Sequence, residues 1–461
     1  MSSSPARKRE DSSVATHSTY SARRMTSAAT KPQEALARSS YQPDSRTTIC
    51  RVPLAQGFWA VLEQGTFAAS NFVLNLLLAR WMSPKDYGVF GVAFSIFMFL
   101  GVLHTAFFTE PMLIHGPSGK YRPVFSEYLR ILVRWHFQVS LAASVALLAT
   151  AVGLVYLDQP GMSSSLMGLA FATPPIFLLW LGRRACYVLL RPSLAASSGL
   201  LYFATVIAGA AILSKLQWLS SVSTFIAMGT GSLISSVWLF RRILVQGDPH
   251  EGVSRAEVAK DHFETGRWVV PSSILHWTTG NVAVFLLPWW WGYEAVATLK
   301  ALTNLIMPIP HTIVALSTLL IPNLVQSKGT RQFESLVNRG AVAFLVIAAV
   351  CAIPLVLFAR PVLGWAYGGK YDEAARWLPF VALSAILPCV SSAFNCALRA
   401  NDRVDLVFRA KAVSTATIMI LALPLIQYGG IRGAILSILI ASAVDAGMQY
   451  RLGRRVMTPV G

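Results

Sequence analysis

The sequence is poor in charged residues. Only 13% of its 461 residues are Asp, Glu, Lys or Arg, whereas 54% are hydrophobic. An average soluble chain is about a quarter charged, so this composition excludes an ordinary soluble enzyme. Long stretches such as 67–78 and 340–359 contain no charged residue at all. Recurring apolar runs of this kind are typical of a polytopic membrane protein.

Paired cysteines and catalytic motifs are also lacking. The five cysteines are an odd number and form no CxxC, so we interpret them as buried thiols rather than metal ligands or disulfides. Gly229 and Gly231 form a GxG without a third glycine, which is better explained by close helix packing. The chain has no GxSxG, no P-loop and no HExxH. We therefore expect no cofactor, no metal and no enzymatic activity.

Hydropathy along the chain predicts about twelve membrane-spanning helices. The predicted spans are 55–79, 88–110, 135–157, 166–182, 194–214, 218–240, 268–291, 296–325, 340–359, 377–398, 408–428 and 433–450.

Lys and Arg are enriched in cytoplasmic loops. We number each loop by the span that it follows. If the N-terminus is cytoplasmic, nine Lys or Arg lie in the cytoplasmic tail and twenty-two in the even-numbered loops and the C-terminus, which are also cytoplasmic. Only eight are then counted with the odd-numbered loops on the other side of the membrane. The sequence therefore predicts that both termini are cytoplasmic.

The location of the basic residues also bears on partners and localisation. The net charge of +18 comes mainly from short loops between apolar runs, so it indicates membrane topology and not nucleic-acid binding. No Asn-x-Ser/Thr site exists, which favours a bacterial over a secretory-pathway setting. We expect a multi-pass protein of the cytoplasmic (inner) membrane.

The longest internal polar stretch divides the predicted spans into two equal groups. We predict a disordered cytoplasmic tail at 1–52, six-helix lobes at 53–240 and 268–452, a cytoplasmic linker at 241–267 and a cytoplasmic C-terminus at 453–461. Both lobes start on the same side, which is typical of parallel repeats around a central cavity. The predicted fold class is therefore an all-α polytopic membrane protein with two six-helix lobes. The Ser-rich tail leaves a transit peptide, or a start at Met25, as alternatives.

Polar residues inside the predicted spans are candidates for function because they are costly in hydrocarbon. In span one, Gln64, Asn71 and Asn75 are spaced i, i+7 and i+11, which places them near one line on a helix. Glu63 lies about 100° away from that line. Helix-to-helix hydrogen bonding is the alternative interpretation of the neutral residues.

Spans seven and eight carry similar stripes. Lys300, Asn304 and His311 have i, i+4, i+11 spacing, and span seven adds Ser272, His276 and Thr279 on one face. Unpaired burial of a charge costs several kcal/mol. We therefore expect Lys300, like Glu63, to face a water-filled cavity.

Three groups of motifs resemble a known family. They are LLLARWMSPKDYGVF at 76–90, YGGKYDEAA at 367–375 followed by LRANDR at 398–403, and GGIRGA at 429–434. In order and spacing, these are similar to the polysaccharide-biosynthesis transporters, the Wzx-type lipid-linked oligosaccharide flippases of the multidrug/oligosaccharidyl-lipid/polysaccharide exporter superfamily. The resemblance covers about residues 53–455. It implies two six-helix lobes around a central cavity and transport by alternating access.

The resemblance implies a lipid-linked saccharide of the polyprenyl diphosphate type as substrate, moved across the cytoplasmic membrane for surface polysaccharide biosynthesis. Its anionic diphosphate and hydroxyl-rich head call for a cation with amide and other polar partners. The predicted substrate-binding residues are Lys300, Asn304, Gln64, Asn71, Asn75 and His276. Membrane lipids and glycan polymerase or ligase machinery are the other expected partners.

Two acidic residues are candidates for ion coupling. Glu63 and Asp445 could couple transport to an ion or proton, or each could pair with a basic residue.

Two other functions remain open for this protein. A cation-coupled multidrug exporter of the same fold would have an acidic, aromatic cavity. A membrane-embedded glycan polymerase or ligase would need an outward loop with clustered Arg, His or Asp.

Overall fold

The computed structural model describes residues 54–244 and 253–457, and these residues form helices joined by short connections, without a β-strand. The predicted tail at 1–52 lies outside the described residues. So do 245–252 of the predicted linker and 458–461 of the predicted C-terminus. The all-α prediction is confirmed.

The described residues 54–244 form seven α-helices. They are α1 (Leu54–Trp81), α2 (Pro84–His104), α3 (Glu110–His115), α4 (Phe125–Tyr156), α5 (Pro160–Val188), α6 (Pro192–Lys215) and α7 (Ser221–Ile243). A π-helical turn, Thr105–Thr109, joins α2 to α3, so that both belong to one membrane span.

The described residues 253–457 form six α-helices of very different length. They are α8 (Arg255–Ile306), α9 (Pro308–Gln326), α10 (Arg331–Leu357), α11 (Ala359–Tyr367), α12 (Leu378–Ala400) and α13 (Val404–Met457). A 3-10 turn, Asp372–Trp377, precedes α12.

Two glycines divide the longest helices. Gly292 in α8 has φ 72° and Gly430 in α13 has φ 56°, values that glycine adopts far more readily than other residues. Each glycine makes a sharp kink between two helices. The second part of α8 then continues into α9, because Met307 between them keeps right-handed helical angles.

These kinks reconcile the helices with the predicted spans. Ten helical segments among the described residues are long and apolar enough to cross a membrane. One of them is α13, which Gly430 divides into two spans, and α1 adds a further helix of 28 residues. The resulting number is twelve, as predicted.

The helices pack as two lobes. Helices α1 to α7 pack mainly against one another, as do α8 to α13, and α2 packing along α8 is the main contact between the lobes. We call the side where α1 ends the Trp81 face, and the side where α3 ends the His115 face. The predicted six-plus-six organisation therefore describes the packing.

The turn between α1 and α2 shows why the chain reverses there. Ser83 caps α2 by accepting a hydrogen bond from the Asp86 backbone N–H at 3.1 Å, and Pro84 occupies the first turn, where proline is tolerated. Gly88 then lets α2 approach α8, since a Cβ at Gly88 would lie 1.8 Å from the Tyr293 carbonyl oxygen.

The predicted linker at 241–267 is helical in its second half. Residues from Arg255 onward are helical and continue directly into span seven. Ser254 and Glu257 are typical of a helix start, and Lys260 lies 4.0 Å from Glu264 one turn later. The connection between the lobes is therefore limited to 244–254, part of which lies outside the described residues.

The interpretation of Gly229 and Gly231 as packing residues agrees with the structure. A Cβ at Gly229 would lie 2.9 Å from the Ala172 Cα, and one at Gly231 would lie 2.8 Å from the Thr205 hydroxyl oxygen. Small residues at such contacts allow membrane helices to approach closely.

Candidate functional site

A lysine lies at the contact between the two lobes. Lys300, in the second part of α8, is half-buried and its Nζ donates a hydrogen bond to the Ser95 hydroxyl on α2 at 3.0 Å. Its stem packs against Gly91, where a Cβ would lie 3.1 Å from the Lys300 Cγ. Trp277, in the first part of α8, donates to the Ser95 carbonyl at 3.1 Å. Ser95 thus joins α2 to both parts of α8.

Amide side chains lie one turn further along the same interface. Asn304 is 6% exposed, and its Nδ2 lies 3.4 Å from the Phe72 carbonyl oxygen of α1. Asn71 and Asn75, on either side of Phe72 in α1, are half-buried, and Asn75 donates to the Asn71 carbonyl at 2.9 Å. The structure therefore places Asn304 between Lys300 and the part of α1 that carries Asn71 and Asn75.

An apolar pocket adjoins this polar region. It has a volume of about 490 Å³ and lies between α1, the second part of α8, and α9 to α11. Phe72, Leu305 and Trp365 are among its lining residues, and the first two lie directly beside the Asn304 contact. A cation, amides and a hydrocarbon-lined space are thus adjacent between the lobes.

Glu63 and Gln64 do not belong to this region. Glu63 is 2% exposed and forms a buried ion pair with Arg183 of α5, and it also accepts a hydrogen bond from the Tyr187 hydroxyl at 2.7 Å. Arg183 in turn lies 4.3 Å from the ring of Phe67. The expectation that Glu63 faces a water-filled cavity is wrong, because its charge is neutralised by a partner within the lobe. Gln64 is exposed beside it.

A second buried ion pair lies in the other lobe. Lys411 and Asp445, on the two halves of α13, are joined at 3.0 Å, and Gln449 donates to the same Asp445 oxygen at 3.0 Å. His276 of α8 lies within electrostatic reach of both charges. The other carboxylate oxygen of Asp445, Oδ1, is buried without a hydrogen-bond partner among the described residues.

The candidate residues therefore separate into three places. Lys300 and Asn304 lie at the lobe interface, beside the turn of α1 that carries Asn71 and Asn75. Glu63 and Gln64 lie in the first lobe, and His276 and Asp445 lie in the second. His311, from the same predicted stripe as Lys300, bonds to the Met307 carbonyl of its own helix at 2.8 Å.

Sequence reasoning missed the cationic partners. Arg183 and Lys411 were not among the predicted site residues, yet both lie within helices and are buried or nearly so. The predicted topology contained the signal, because Glu63 and Arg183 fall at ends of spans one and four on the same side. An acid and a base at one membrane depth indicate a pair.

The lobes meet on the Trp81 face. The Arg80 guanidinium donates to the Trp365 carbonyl at 2.8 Å, and Lys370 Nζ donates to the carbonyls of Arg80 at 2.6 Å and Met82 at 2.7 Å. These bonds join the end of α1 to α11 and the segment after it. The Gly88 contact with Tyr293 lies on the same side.

On the His115 face, the start of α8 is held by the first lobe. Asp261 accepts hydrogen bonds from Lys120 and the Tyr121 hydroxyl, both at 2.7 Å. Burial raises the pKa of Asp261, but these two bonds lower it by more, so the pKa is below its usual value. His262 accepts from the Tyr128 hydroxyl at 2.6 Å and donates to the Phe107 carbonyl at 2.7 Å. Burial lowers the pKa of His262 to about 4.

Comparison with solved structures identifies the class of fold. No family model and no curated protein sequence matches the chain. Solved structures do match over most of its length, at identities that show the fold alone. The fold is that of transporters of the multidrug and lipid-flipping kind.

Three structures illustrate the similarity. An inward-facing multidrug resistance MATE family transporter of the MOP superfamily has TM-score 0.72 and 14% identity, covering 86% of this chain and 98% of the other. The lipid II flippase MurJ in an inward closed conformation has TM-score 0.62 and 14% identity, covering 87% of each chain. A Vibrio cholerae MATE transporter has TM-score 0.59 and 11% identity, covering 87% and 95%.

Proposed function

We propose that the protein is a flippase that moves lipid-linked saccharides of the polyprenyl diphosphate type across the cytoplasmic membrane for surface polysaccharide biosynthesis. The observation that carries this proposal is the apolar pocket beside Asn304, one turn from Lys300. An amphiphile with an anionic head and a hydrocarbon chain needs a cation next to an apolar space. Likeness to a lipid II flippase supports the same conclusion.

In this proposal Lys300 binds the diphosphate, while Asn304, Asn71 and Asn75 bind sugar hydroxyls. Gln64 and His276 are placed elsewhere in the lobes, where they would contact the saccharide only at another stage of transport. Contacts join the lobes on the Trp81 face and, through the start of α8, on the His115 face. Alternating access would then require these contacts to break.

Ion coupling is assigned to Asp445 and Glu63. Asp445 is the stronger candidate, because its Oδ1 is buried without a hydrogen-bond partner among the described residues and could accept a proton or a cation. Glu63 uses both carboxylate oxygens, one with Arg183 and one with Tyr187. It could couple only if that pair opened during transport.

A multidrug exporter is the second candidate, favoured by the similarity to MATE transporters. The charges at the interface argue against cationic drugs as substrates. Lys300 lies at the lobe contact, whereas the buried acids Glu63 and Asp445 are already paired with cations. Glycan polymerase or ligase proteins are proposed as partners that use the flipped product.

Reconstitution with a defined substrate tests the flippase proposal. Proteoliposomes containing a short fluorescent polyprenyl diphosphate saccharide should make it accessible to a membrane-impermeant quencher. Lys300→Ala should slow the transfer of the labelled saccharide to the outer side at least tenfold, because the diphosphate loses its cationic partner. Lys300→Arg should retain part of the rate, because it keeps the charge but changes the geometry.

Lys215→Ala is the matched control, since Lys215 is an exposed lysine at the end of α6 and its loss should leave the rate unchanged. Wild-type rates in Lys300→Ala at equal protein levels would refute the role of Lys300. Export of cationic dyes without any flipping of the saccharide would favour the multidrug exporter.

A further inference from the structure

Two histidines in the first lobe form a buried pair that transport of the substrate, as proposed above, does not use. His104 of α2 is 5% exposed and His136 of α4 is fully buried. Nε2 of His104 lies 3.2 Å from Nδ1 of His136. Nε2 of His136 lies 3.1 Å from the Pro174 carbonyl oxygen of α5.

These distances determine where the protons lie. A carbonyl oxygen only accepts hydrogen bonds, so Nε2 of His136 must carry a hydrogen, and in the neutral ring its Nδ1 is then an acceptor. Nε2 of His104 must therefore be the donor to that acceptor. In the neutral pair, Nδ1 of His104 carries a lone pair, and it has no hydrogen-bond partner among the described residues.

Two phenyl rings reduce the cost of a positive charge on the buried His104 ring. The imidazole is stacked between Phe108, with ring centroids 4.8 Å apart and planes 12° apart, and Phe177, at 4.9 Å and 20°. The faces of phenyl rings attract cations, most strongly where water is excluded. This double stacking offsets part of the cost of burying a charged imidazole.

Few other charges act on the pair. Helix α5 carries no titratable side chain before Arg183, and α4 carries Arg134 two residues before His136 and none after it until Tyr156. Glu110 begins α3 beyond the π-helical turn, and His262 of α8 contacts that turn through the Phe107 carbonyl, with its ring 6.4 Å from that of Trp135. The state of the pair therefore depends mainly on its own two rings and the phenyl rings beside His104.

The pair also borders an unusual piece of backbone. The π-helical turn Thr105–Thr109 begins directly after His104, and such turns are rare and frequent at functional sites. The turn contains Phe108, which stacks on His104, and Phe107, whose carbonyl accepts the hydrogen bond from His262 of α8. One short turn thus joins the histidine pair to the contact between the lobes.

We propose that His104 and His136 form a proton-binding site of the first lobe, which takes up one proton at Nδ1 of His104. The proton forms an N–H bond at Nδ1, and the site gains one positive charge, shared through the hydrogen bond from Nε2 of His104 to His136. The charge acts on the π-helical turn and, through it, on the hydrogen bond between the Phe107 carbonyl and His262 of α8. The proposal does not depend on which substrate the protein carries.

Histidine NMR on the full chain tests the site directly. The protein, labelled with ¹⁵N in its histidine rings and placed in lipid nanodiscs, is titrated between about pH 5 and pH 8. Loss of signals in His104→Gln and His136→Gln assigns the two rings. We expect His104 to become cationic on uptake of one proton, while His136 keeps its Nε2 hydrogen. Both rings neutral throughout, or both fully cationic, would overturn the proposal.

A phenyl substitution tests the site while keeping both histidines. Phe108→Leu removes one stacked ring and should lower the titration midpoint of His104 by about one pH unit, a tenfold loss of proton affinity. Phe125→Leu is the matched control, because Phe125 is a buried phenyl of the same lobe whose ring contacts Tyr128. An unchanged midpoint in Phe108→Leu, or an equal shift in Phe125→Leu, would contradict the assignment to His104.

Transport measurements give a second result. His104→Gln should abolish the change of flipping rate over the same pH interval, while His311→Gln, at an exposed histidine of α9, should preserve it. If His104→Gln kept the full pH dependence of the flipping rate, proton uptake at His104 would not influence transport. That result would contradict the proposed effect of the charge on the contact between the turn and α8. Because the NMR titration needs no substrate, its outcome is independent of the flippase proposal.

Discussion

At the scale of single residues, the two lobes neutralise their buried acids in the same manner. Glu63 pairs with Arg183, and Asp445 pairs with Lys411, and each acid has a further hydrogen-bond donor. Removing two ions from water is costly, and a pair recovers that cost only with good geometry and extra hydrogen bonds. Such pairs make each lobe sensitive to the loss of one partner.

Glu63→Gln should therefore destabilise the first lobe. The change leaves Arg183 buried without a counter-charge, and loss of one partner of a buried pair costs about 3–5 kcal/mol. We expect a lower melting temperature and less protein in the membrane. The double variant Glu63→Gln, Arg183→Met removes both charges and should recover much of the loss. Equal abundance of the single variant and the wild type would refute this structural role.

The same variant separates the structural role from coupling. If Glu63 couples transport to an ion gradient, the Gln protein that reaches the membrane should flip substrate at a rate independent of that gradient. If the pair is only structural, the gradient dependence should persist per molecule of folded protein. Measuring flipping with and without a proton or sodium gradient, normalised to protein, distinguishes the two.

At the scale of helices, the approach of α2 to α8 depends on one missing side chain. The backbone of Tyr293 occupies the space that a Cβ on Gly88 would need. Both residues lie in the turns that begin the second span of each lobe, so this contact sets the distance between the lobes on the Trp81 face.

Gly88→Ala should force the two helices apart. A Cβ placed 1.8 Å from the Tyr293 carbonyl oxygen requires a backbone shift, and overpacking of this kind costs about 1–3 kcal/mol. We expect a lower melting temperature and a lower flipping rate. Gly153→Ala, in α4 with nothing within 4 Å of the added Cβ, is the control and should be neutral or slightly stabilising. Equal stability of the two variants would contradict the close approach.

Helices were the part of the structure that sequence predicted best. Long apolar runs have few alternatives in a membrane, so the spans were predicted to within several residues. The helical start of α8 was missed because residues 255–267 are polar, and their helix is stabilised by contacts with Lys120 and Tyr121 that lie far away in sequence.

The candidate site was less predictable, for a physical reason. Spacing on one helix shows which residues share a face, but it does not show what that face meets. Gln64 and Asn71 share a line on α1, yet Gln64 lies beside the Glu63 pair while Asn71 lies near the lobe interface. Ser95, the partner of Lys300, carries no signal of its own in the sequence.

At the scale of the whole molecule, the two faces differ in charge and construction. The connections on the His115 face carry most of the Lys and Arg, among them Lys120, Lys328 and Arg403. Both Lys328 and Arg403 pair with nearby acids after spans of the second lobe. The positive-inside rule assigns this face to the cytoplasm, which remains a proposal for the orientation of the chain.

Reporter fusions test that orientation. Fusions in the tail at 1–52, within 245–252 and after Gly461 should all report the cytoplasm, because an even number of spans separates them. An insertion at 157–159, a turn on the Trp81 face between α4 and α5, should report the opposite side. A periplasmic signal from any of the first three would contradict the number of spans or their direction.

The two glycine kinks limit where the chain can be lengthened. At Gly430 the backbone lies against the Trp291 ring, and Trp291 Nε1 donates to the Ile426 carbonyl at 2.8 Å, so the kink in α13 is packed on the end of the first part of α8. Insertions succeed where backbone is exposed and free of such contacts. Epitope tags or protease sites at Gly292 or Gly430 should be rejected, whereas the exposed turn at 157–159 offers an accessible place to label the Trp81 face.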